Sequence, residues 1–341
     1  MIEFIDAYSE KWDFYLNEFG KEKLDIYYTK EYCRLYETDL SKAYLFVYKE
    51  ENNIVIYPMM KTLITGYKEV QNYYDIETPY GYGGPLANTV DKIFIGEFEQ
   101  SFISFCANNR IIAEFTRFHP VLENENIFKN NIDVNFNRNT IVVELDKGID
   151  RIWNEDISSK NRNMIRKAVK NGLEIEITKE YKSFMEIYDE TMKKVHASSF
   201  YFFNEEYYKD IVNMENRSVF NVKIKEKIIA SAIFMKYNKH FHYHLAGSKK
   251  EYLNFAPNNF LLWEAIKYAY NAGCSDFHLG GGTDGSLDNS LYKFKKSFSN
   301  NERKFYIGKR VHNRGIYNNL MEVWKRKNNK NTKLFLQYKE K

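Results

Sequence analysis

The chain has 341 residues, 44% of them hydrophobic and 28% charged, with a formal net charge of +4. That length suits two domains of ~150 residues each, the composition is that of a soluble globular protein, and so mild a charge gives no argument for DNA. No run of ~18 apolar residues is present and the acidic start (Glu3, Asp6) lacks a basic signal region, so neither a spanning helix nor a secretory leader is expected.

The cysteines, Cys33, Cys106 and Cys274, are odd in number and far apart. They read as small buried apolar groups in a reducing cytoplasm rather than as a disulfide or zinc framework.

Residues 1–20 carry Trp12, Tyr15, Leu16 and Phe19 at helical spacing. Residues 29–37 read as a second short helix capped by Thr29. Segments 43–49 and 53–62 form a hairpin across Glu50-Glu51-Asn52, and 68–75 is another extended piece. The stretch 79–85 (PYGYGGP) is a dense turn. Its exposed N–H groups and its tyrosines, Tyr80 and Tyr82, suit a polar or sugar-like ligand as well as a plain structural loop. Residues 90–108 form a helix with Phe94, Phe98, Phe102 and Phe105 in one apolar stripe. Strands follow at 111–118, ending in His119-Pro120, and at 134–145. Residues 1–145 are expected to form one compact unit and 146–341 a second.

The second half opens with a basic helix over 157–172, started by Ser158 or Ser159 and ended by Gly172. Arg162, Arg166 and Lys170 share one stripe, away from Met164, Ile165, Ala168 and Val169. The planar fork of arginine suits phosphate, so Arg162 and Arg166 are candidate phosphate ligands; the alternative is a solvated basic face. A strand at 173–178 and helices at 182–196 and 205–213 lead into a β-meander at 219–225, 228–237 and 239–245. A small-residue break, Ala246-Gly247-Ser248, precedes a helix at 258–272. A strand at 275–282 runs into three glycines, followed by a basic-aromatic helix at 291–298, a strand at 304–310 and a last helix at 315–327. The glycine turn Gly280–Gly285 lacks the lysine and spacing of a P-loop.

His240, His242 and His244 alternate and so point to one strand face. Three imidazoles there could hold zinc, but no carboxylate or cysteine flanks them. His242 or His244 lining a cleft is the stronger reading, as a base near neutral pH. Phe294-Lys295 offers a ring to stack on adenine and a cation to hold a phosphate or polarise an acyl carbonyl. Its alternative is a surface helix with solvated lysines.

The pieces 159–172 (SKNRNMIRKAVKNG), 243–248 (YHLAGS), 258–272 (NNFLLWEAIKYAYNA), 277–283 (FHLGGGT) and 291–298 (LYKFKKSF) resemble the FemAB-like branch of the GNAT acyltransferase superfamily. Segments 115–120 (FTRFHP) and 79–85 are similar to its N-terminal half. The resemblance implies an α/β (α+β) fold of two GNAT-like domains in tandem, each a mixed, mostly antiparallel sheet flanked by helices. It implies an N-acyltransferase working by direct attack of an amine on an activated acyl or aminoacyl donor, with the acceptor near the domain junction. Better-known members transfer an amino acid from aminoacyl-tRNA to a peptidoglycan precursor; no long helical arm of the kind that some of them use to grip tRNA is read in this sequence.

The resemblance, together with the residue readings above, makes Lys295, Tyr243 and His244 the expected catalytic residues, and Phe294, Arg162 and Arg166 the donor side. Tyr80, Tyr82 and His119 are the acceptor side. No metal or tightly bound cofactor is implied; the co-substrate is acyl-CoA or aminoacyl-tRNA. The acceptor is an amine of a cell-envelope precursor or amino sugar, handled in the cytoplasm with peripheral membrane association open to it. Two departures matter. Where the peptidoglycan-bridge branch has Asp-Pro this chain has His119-Pro120, which argues against a muramyl-peptide acceptor. Where CoA-using members have a glycine-rich phosphate loop, residues 246–252 hold one glycine, which argues against a backbone cradle for pyrophosphate. The alternative function is a non-catalytic tRNA-binding or envelope-assembly protein that kept the fold.

Overall fold

The computed structural model describes residues 1–68, 70–128, 132–195, 197, 201–215, 217–328 and 334–339. The chain divides into two compact units, one of residues 1–137 with 304–341 and one of residues 138–303. The strands are β1 (Ile2–Asp6), β2 (Ser41–Glu50), β3 (Asn53–Leu63), β4 (Tyr74–Glu77), β5 (Leu86–Ala87), β6 (Ile111–Arg117), β7 (Asp133–Glu144), β8 (Leu173–Thr178), β9 (Arg217–Ile224), β10 (Lys227–Tyr237), β11 (His240–Ser248), β12 (Asp276–Gly281) and β13 (Glu302–Val311).

In the first unit, strands buried along most of their length build the sheet β1-β2-β3-β4-β6-β13, with β5 on the side of β3. All neighbours are antiparallel except β4 and β6, which are parallel and joined through the helix Lys92–Asn108. A parallel pair needs such a crossover. Asp91 caps that helix by accepting from the Ile93 amide. The expected phenylalanine stripe is its buried face: Phe94, Phe98 and Phe102 are covered, with Phe46 set edge-on to Phe102 at 5.0 Å. Each such ring contributes about 1.5–3 kcal/mol through burial.

The division expected at residue 145 placed 304–341 in the second unit; the structure places these residues in the first. The cause is pairing and charge. Ile307–Val311 of β13 bind β6 antiparallel, and Arg310 lies 2.7 Å from Glu99 and 3.3 Å from Glu114, both buried. The helix expected over 1–20 is also corrected: β1 takes Ile2–Asp6, pairing with β2, and only Lys11–Leu16 is helical. Tertiary pairing outweighs local spacing there.

The second unit repeats the scheme in the order β8-β9-β10-β11-β12-β7. Again one pair, β11 and β12, is parallel, and again one helix, Pro257–Asn271, makes the crossover. That helix buries Phe260, Leu261, Leu262, Ala265, Ile266 and Ala269, so it is covered on most sides and forms the core. The small-residue break expected at Ala246-Gly247-Ser248 is instead the end of β11. Its residues are small because the helix Lys182–Lys194 lies against it: a Cβ on Gly247 would stand 2.7 Å from the Ile187 carbonyl oxygen. The last two residues of the expected helix 182–196 differ in status: Val195 ends it, and His196 lies outside the described residues.

Candidate active site in the second unit

β11 and β12 run side by side for only three residues, His240–His242 against Asp276–His278. Just past this point each strand carries a bulge. On β11 the pairing with β10 skips His244, and on β12 the pairing with β7 skips Leu279. A bulge bends its strand and increases its twist. Each of these strands therefore turns with its outer neighbour, and the parallel ladder ends between them.

Tyr243 and Lys295 meet at this place. Tyr243 is half-buried on the core face of β11, stacked beside Phe234 at 5.5 Å. Burial pushes its phenol pKa up, so the hydroxyl keeps its hydrogen and remains a donor. Lys295 belongs to the helix Ser290–Lys296, whose start is fixed by Asn289 accepting from the Leu291 and Tyr292 amides. Its ammonium nitrogen, Nζ, lies 5.7 Å from the centre of the Tyr243 ring and donates to the Gly281 carbonyl at 2.8 Å. The side chain is buried, at 7% exposure, so the surface-lysine reading does not apply to it. Burial, with the nearby charge of Arg138, pushes its pKa down to about 7. Its neighbour Phe294 turns inward and sets its ring edge-on to Phe298 at 5.5 Å. That is a packing position within the core cluster, away from the stacking role expected of it.

His244 is not brought to this pair. It points toward the helix Glu205–Asn213, where Nε2 meets the Tyr207 hydroxyl at 2.7 Å. Burial first, then the charges of Arg217 and His242, hold its pKa down to about 3. A ring that stays neutral so far below pH 7 is a weak base, so the structure gives no support to the expected base role. The other two histidines of β11 have partners of their own. His240 Nδ1 is 2.8 Å from Asp276, and the His242 ring lies 5.8 Å from that of His278.

The arginines expected on the donor side part ways. The guanidinium of Arg162 donates to the carbonyls of Trp153, Asn154 and Ile157 and to the Ser159 hydroxyl, capping the irregular turn before its own helix, Ser159–Lys170. It is thus committed to structure. Arg166 is exposed and lies over the Trp153 ring at 5.3 Å, with one bond to Asn163.

The residues expected on the acceptor side lie in the first unit. His119 is fully buried. Its Nδ1 accepts from the Val121 and Leu122 amides, so Nε2 carries the hydrogen and donates to Asp25 at 2.9 Å. Asn124 donates to the carbonyls of Gly83 and Pro85 and so holds the 79–85 turn. Tyr80 and Tyr82 are half-exposed. Tyr82 stands edge-on to Tyr27, Phe305 and His119, and the Tyr80 carbonyl accepts from Tyr32. This cluster presents tyrosine rings over a buried His–Asp pair, with His119 serving as the support.

Sequence reasoning passed over Arg138. It stands in β7 just before the apolar run Ile141-Val142-Val143 and donates to the Gly282 carbonyl at 2.7 Å. A lone arginine in a strand entering the core was the available signal.

Residues 159–296 match the family model of the acetyltransferase (GNAT) domain. No curated protein matches the chain. Among solved structures, the chain is similar to FemX at 14% identity and a TM-score of 0.71, over 93% of this chain and 99% of that one. It is similar to the C-terminal domain of a putative lysylphosphatidylglycerol synthetase from Agrobacterium fabrum at 15% identity and a TM-score of 0.52, over 82% and 88%. A tandem GNAT protein from the clavulanic acid biosynthesis pathway aligns at 7% identity and a TM-score of 0.53, over 92% and 99%. At these identities the likeness to solved structures is one of fold. The match at residues 159–296 and the likeness along the rest of the chain together give it a tandem GNAT-like fold.

Proposed function

We propose that the protein is an N-acyltransferase that moves an aminoacyl group from an activated ester onto an amine of a cell-envelope precursor or amino sugar, by direct attack. The observation that carries this reading is the meeting of Tyr243 and Lys295, from two separate elements, where the β11–β12 ladder ends. The amine nitrogen attacks the acyl carbon and a C–N bond forms. Tyr243, held protonated, donates to the developing oxyanion. Lys295, with a pKa near neutrality, takes the proton released by the attacking nitrogen while still donating to Gly281. The acyl–oxygen bond then breaks, and the leaving oxygen departs with the electron pair and receives that proton. The likeness to FemX and to a lysylphosphatidylglycerol synthetase supports an aminoacyl donor and an envelope acceptor. So does the loop after β11, which runs through the 3-10 turn Lys250–Phe255 with no glycine-rich cradle.

A second reading, with acyl-CoA as donor, draws on the GNAT match itself. Incubation of the purified protein with labelled aminoacyl-tRNA, or with labelled acetyl-CoA, and a panel of envelope amines and amino sugars separates the two. We expect transfer from aminoacyl-tRNA, a rate that rises as pH passes about 7, and a loss of about 10²-fold or more in Lys295→Ala. Unchanged turnover in that variant removes Lys295 from the mechanism. Transfer from acetyl-CoA alone replaces the first reading with the second.

A further inference from the structure

The end of β12 presents two consecutive carbonyls, and a cationic side chain from a different element holds each. Lys295 reaches the Gly281 oxygen from the helix Ser290–Lys296, and Arg138 reaches the Gly282 oxygen from β7. The edge fits between its neighbours only without side chains. A Cβ on Gly281 would stand 2.8 Å from the Asn139 carbonyl oxygen and 3.0 Å from Arg138 Cδ, and one on Gly282 would stand 2.6 Å from Asn289 Oδ1. The stem of Arg138 is therefore one wall of the glycine edge, and its head is the clamp on it.

We infer that Arg138 is a positioning residue for Lys295: it fixes the glycine edge from which the lysine amine hangs and sets a permanent positive charge beside that amine. The inference rests on the proton-accepting role given to Lys295 above. An arginine keeps its charge at every working pH, whereas a lysine can give its charge up. Two cations sharing one desolvated edge repel, and the one able to deprotonate does so. The groups around the amine bear this out. From β11 it meets the neutral Tyr243 ring, from β12 the Gly281 carbonyl, and from β7 the Arg138 guanidinium. The other lysines of its own helix, Lys293 and Lys296, are exposed and paired with Asp288 and Glu302. Arg138 thus keeps the amine available as a base without touching the reacting atoms.

The test reads the protonation of Lys295 through stability, independent of any transfer assay. The charged amine is disfavoured in the fold, so the native protein should be less stable than its Lys295→Met variant at low pH. The gap should close as pH climbs from about 7 toward the ordinary lysine range. The denaturant midpoints of both proteins are measured against pH, with Arg138, with Arg138→Met and with Arg138→Lys. We expect Arg138→Met to move the start of the closing upward by about one pH unit, and Arg138→Lys, which controls for folding, to move it by less, because a lysine there keeps part of the charge. The same start with Arg138→Met as with arginine and lysine overturns the proposal. In a transfer assay the rising limb of the rate should move up with it; a rate loss without that movement leaves Arg138 merely structural and also overturns it. A Lys295→Ala variant of full activity would sink the catalytic reading, yet the stability profiles would still report the coupling, so the two failures are distinguishable.

Discussion

At the scale of single residues, environment divides the three side chains expected to do chemistry. Tyr243 and Lys295 both lose solvent, but with opposite results: the phenol is kept protonated and the amine is brought toward deprotonation. The lysine nitrogen stands 5.7 Å from the centre of the phenol ring, so a hydrogen-bond donor and a proton acceptor share one place, the division of labour that the proposed transfer needs. His244 is held neutral by burial and by Arg217. This has a measurable consequence for stability. The unfolded chain protonates the ring below about 6.5 while the native chain resists until about 3, so across that window the unfolded state binds more protons. Stability from this group is present above pH 6.5 and is lost as pH falls toward 3. Comparing denaturant midpoints of native protein and His244→Gln from pH 7 to pH 3, we expect any advantage of the native residue to shrink on acidification. Parallel profiles would mean that the ring is solvated and titrates normally.

At the scale of elements, the candidate site lies where two strands cease to pair. The bulges at His244 and Leu279 bend β11 and β12, and the glycine edge at Gly281-Gly282 comes next along β12, where Asn139, Arg138 and Asn289 leave no room for a Cβ. β11 can continue past its bulge only because its end is small enough to lie under the helix Lys182–Lys194. Thr191 of that helix accepts from the Ser248 amide, which locks the contact. Gly247→Ala should therefore push Ile187 and its helix away, at a cost of about 1–3 kcal/mol read from the denaturant midpoint; an unchanged midpoint would mean the helix docks loosely. Much of this level was legible in the sequence. Ser158 and Thr29 cap helices at the expected positions, the phenylalanine stripe is buried, and the meander lies where alternation put it. Less legible were the features that depend on a neighbour far along the chain. The run Ala246-Gly247-Ser248 looks like a break unless the helix over it is known. Likewise Arg162 looks like a phosphate ligand until the carbonyls of residues 153–157 take up its donors. The pairing of Arg138 with Gly282 joins positions 144 apart in sequence, and no local pattern reports it.

At the scale of the whole molecule, the two units share one scheme: three antiparallel steps, a parallel step made through a helix, and a last antiparallel strand. Helices and strands recur in a rough common order along the sequence, but no residue-level repeat survives to announce the match. The last strand of each scheme is where chain order and fold order part. The strand that follows β6 in sequence, β7, completes the second sheet from residue 138 onward, and the strand that follows β12, β13, completes the first. The consequence is asymmetric. Residues 138–303 are one continuous segment holding β8 to β12, the part of β7 that pairs with β12, and a core of their own, including Phe220, Phe234, Leu261 and Phe277. Residues 1–137 lack β13, and with it the Arg310 partner of Glu99 and Glu114, which would leave two carboxylates buried without their cation. Removing one member of such a buried pair costs about 3–5 kcal/mol. A fragment of residues 138–303 should therefore fold alone and melt cooperatively by circular dichroism, while a fragment of residues 1–137 should not fold until a segment carrying 304–341 is supplied. A 1–137 fragment that melts cooperatively unaided would show that β13 is an accessory to the first sheet and that its charges are not what fixes the fold of that unit.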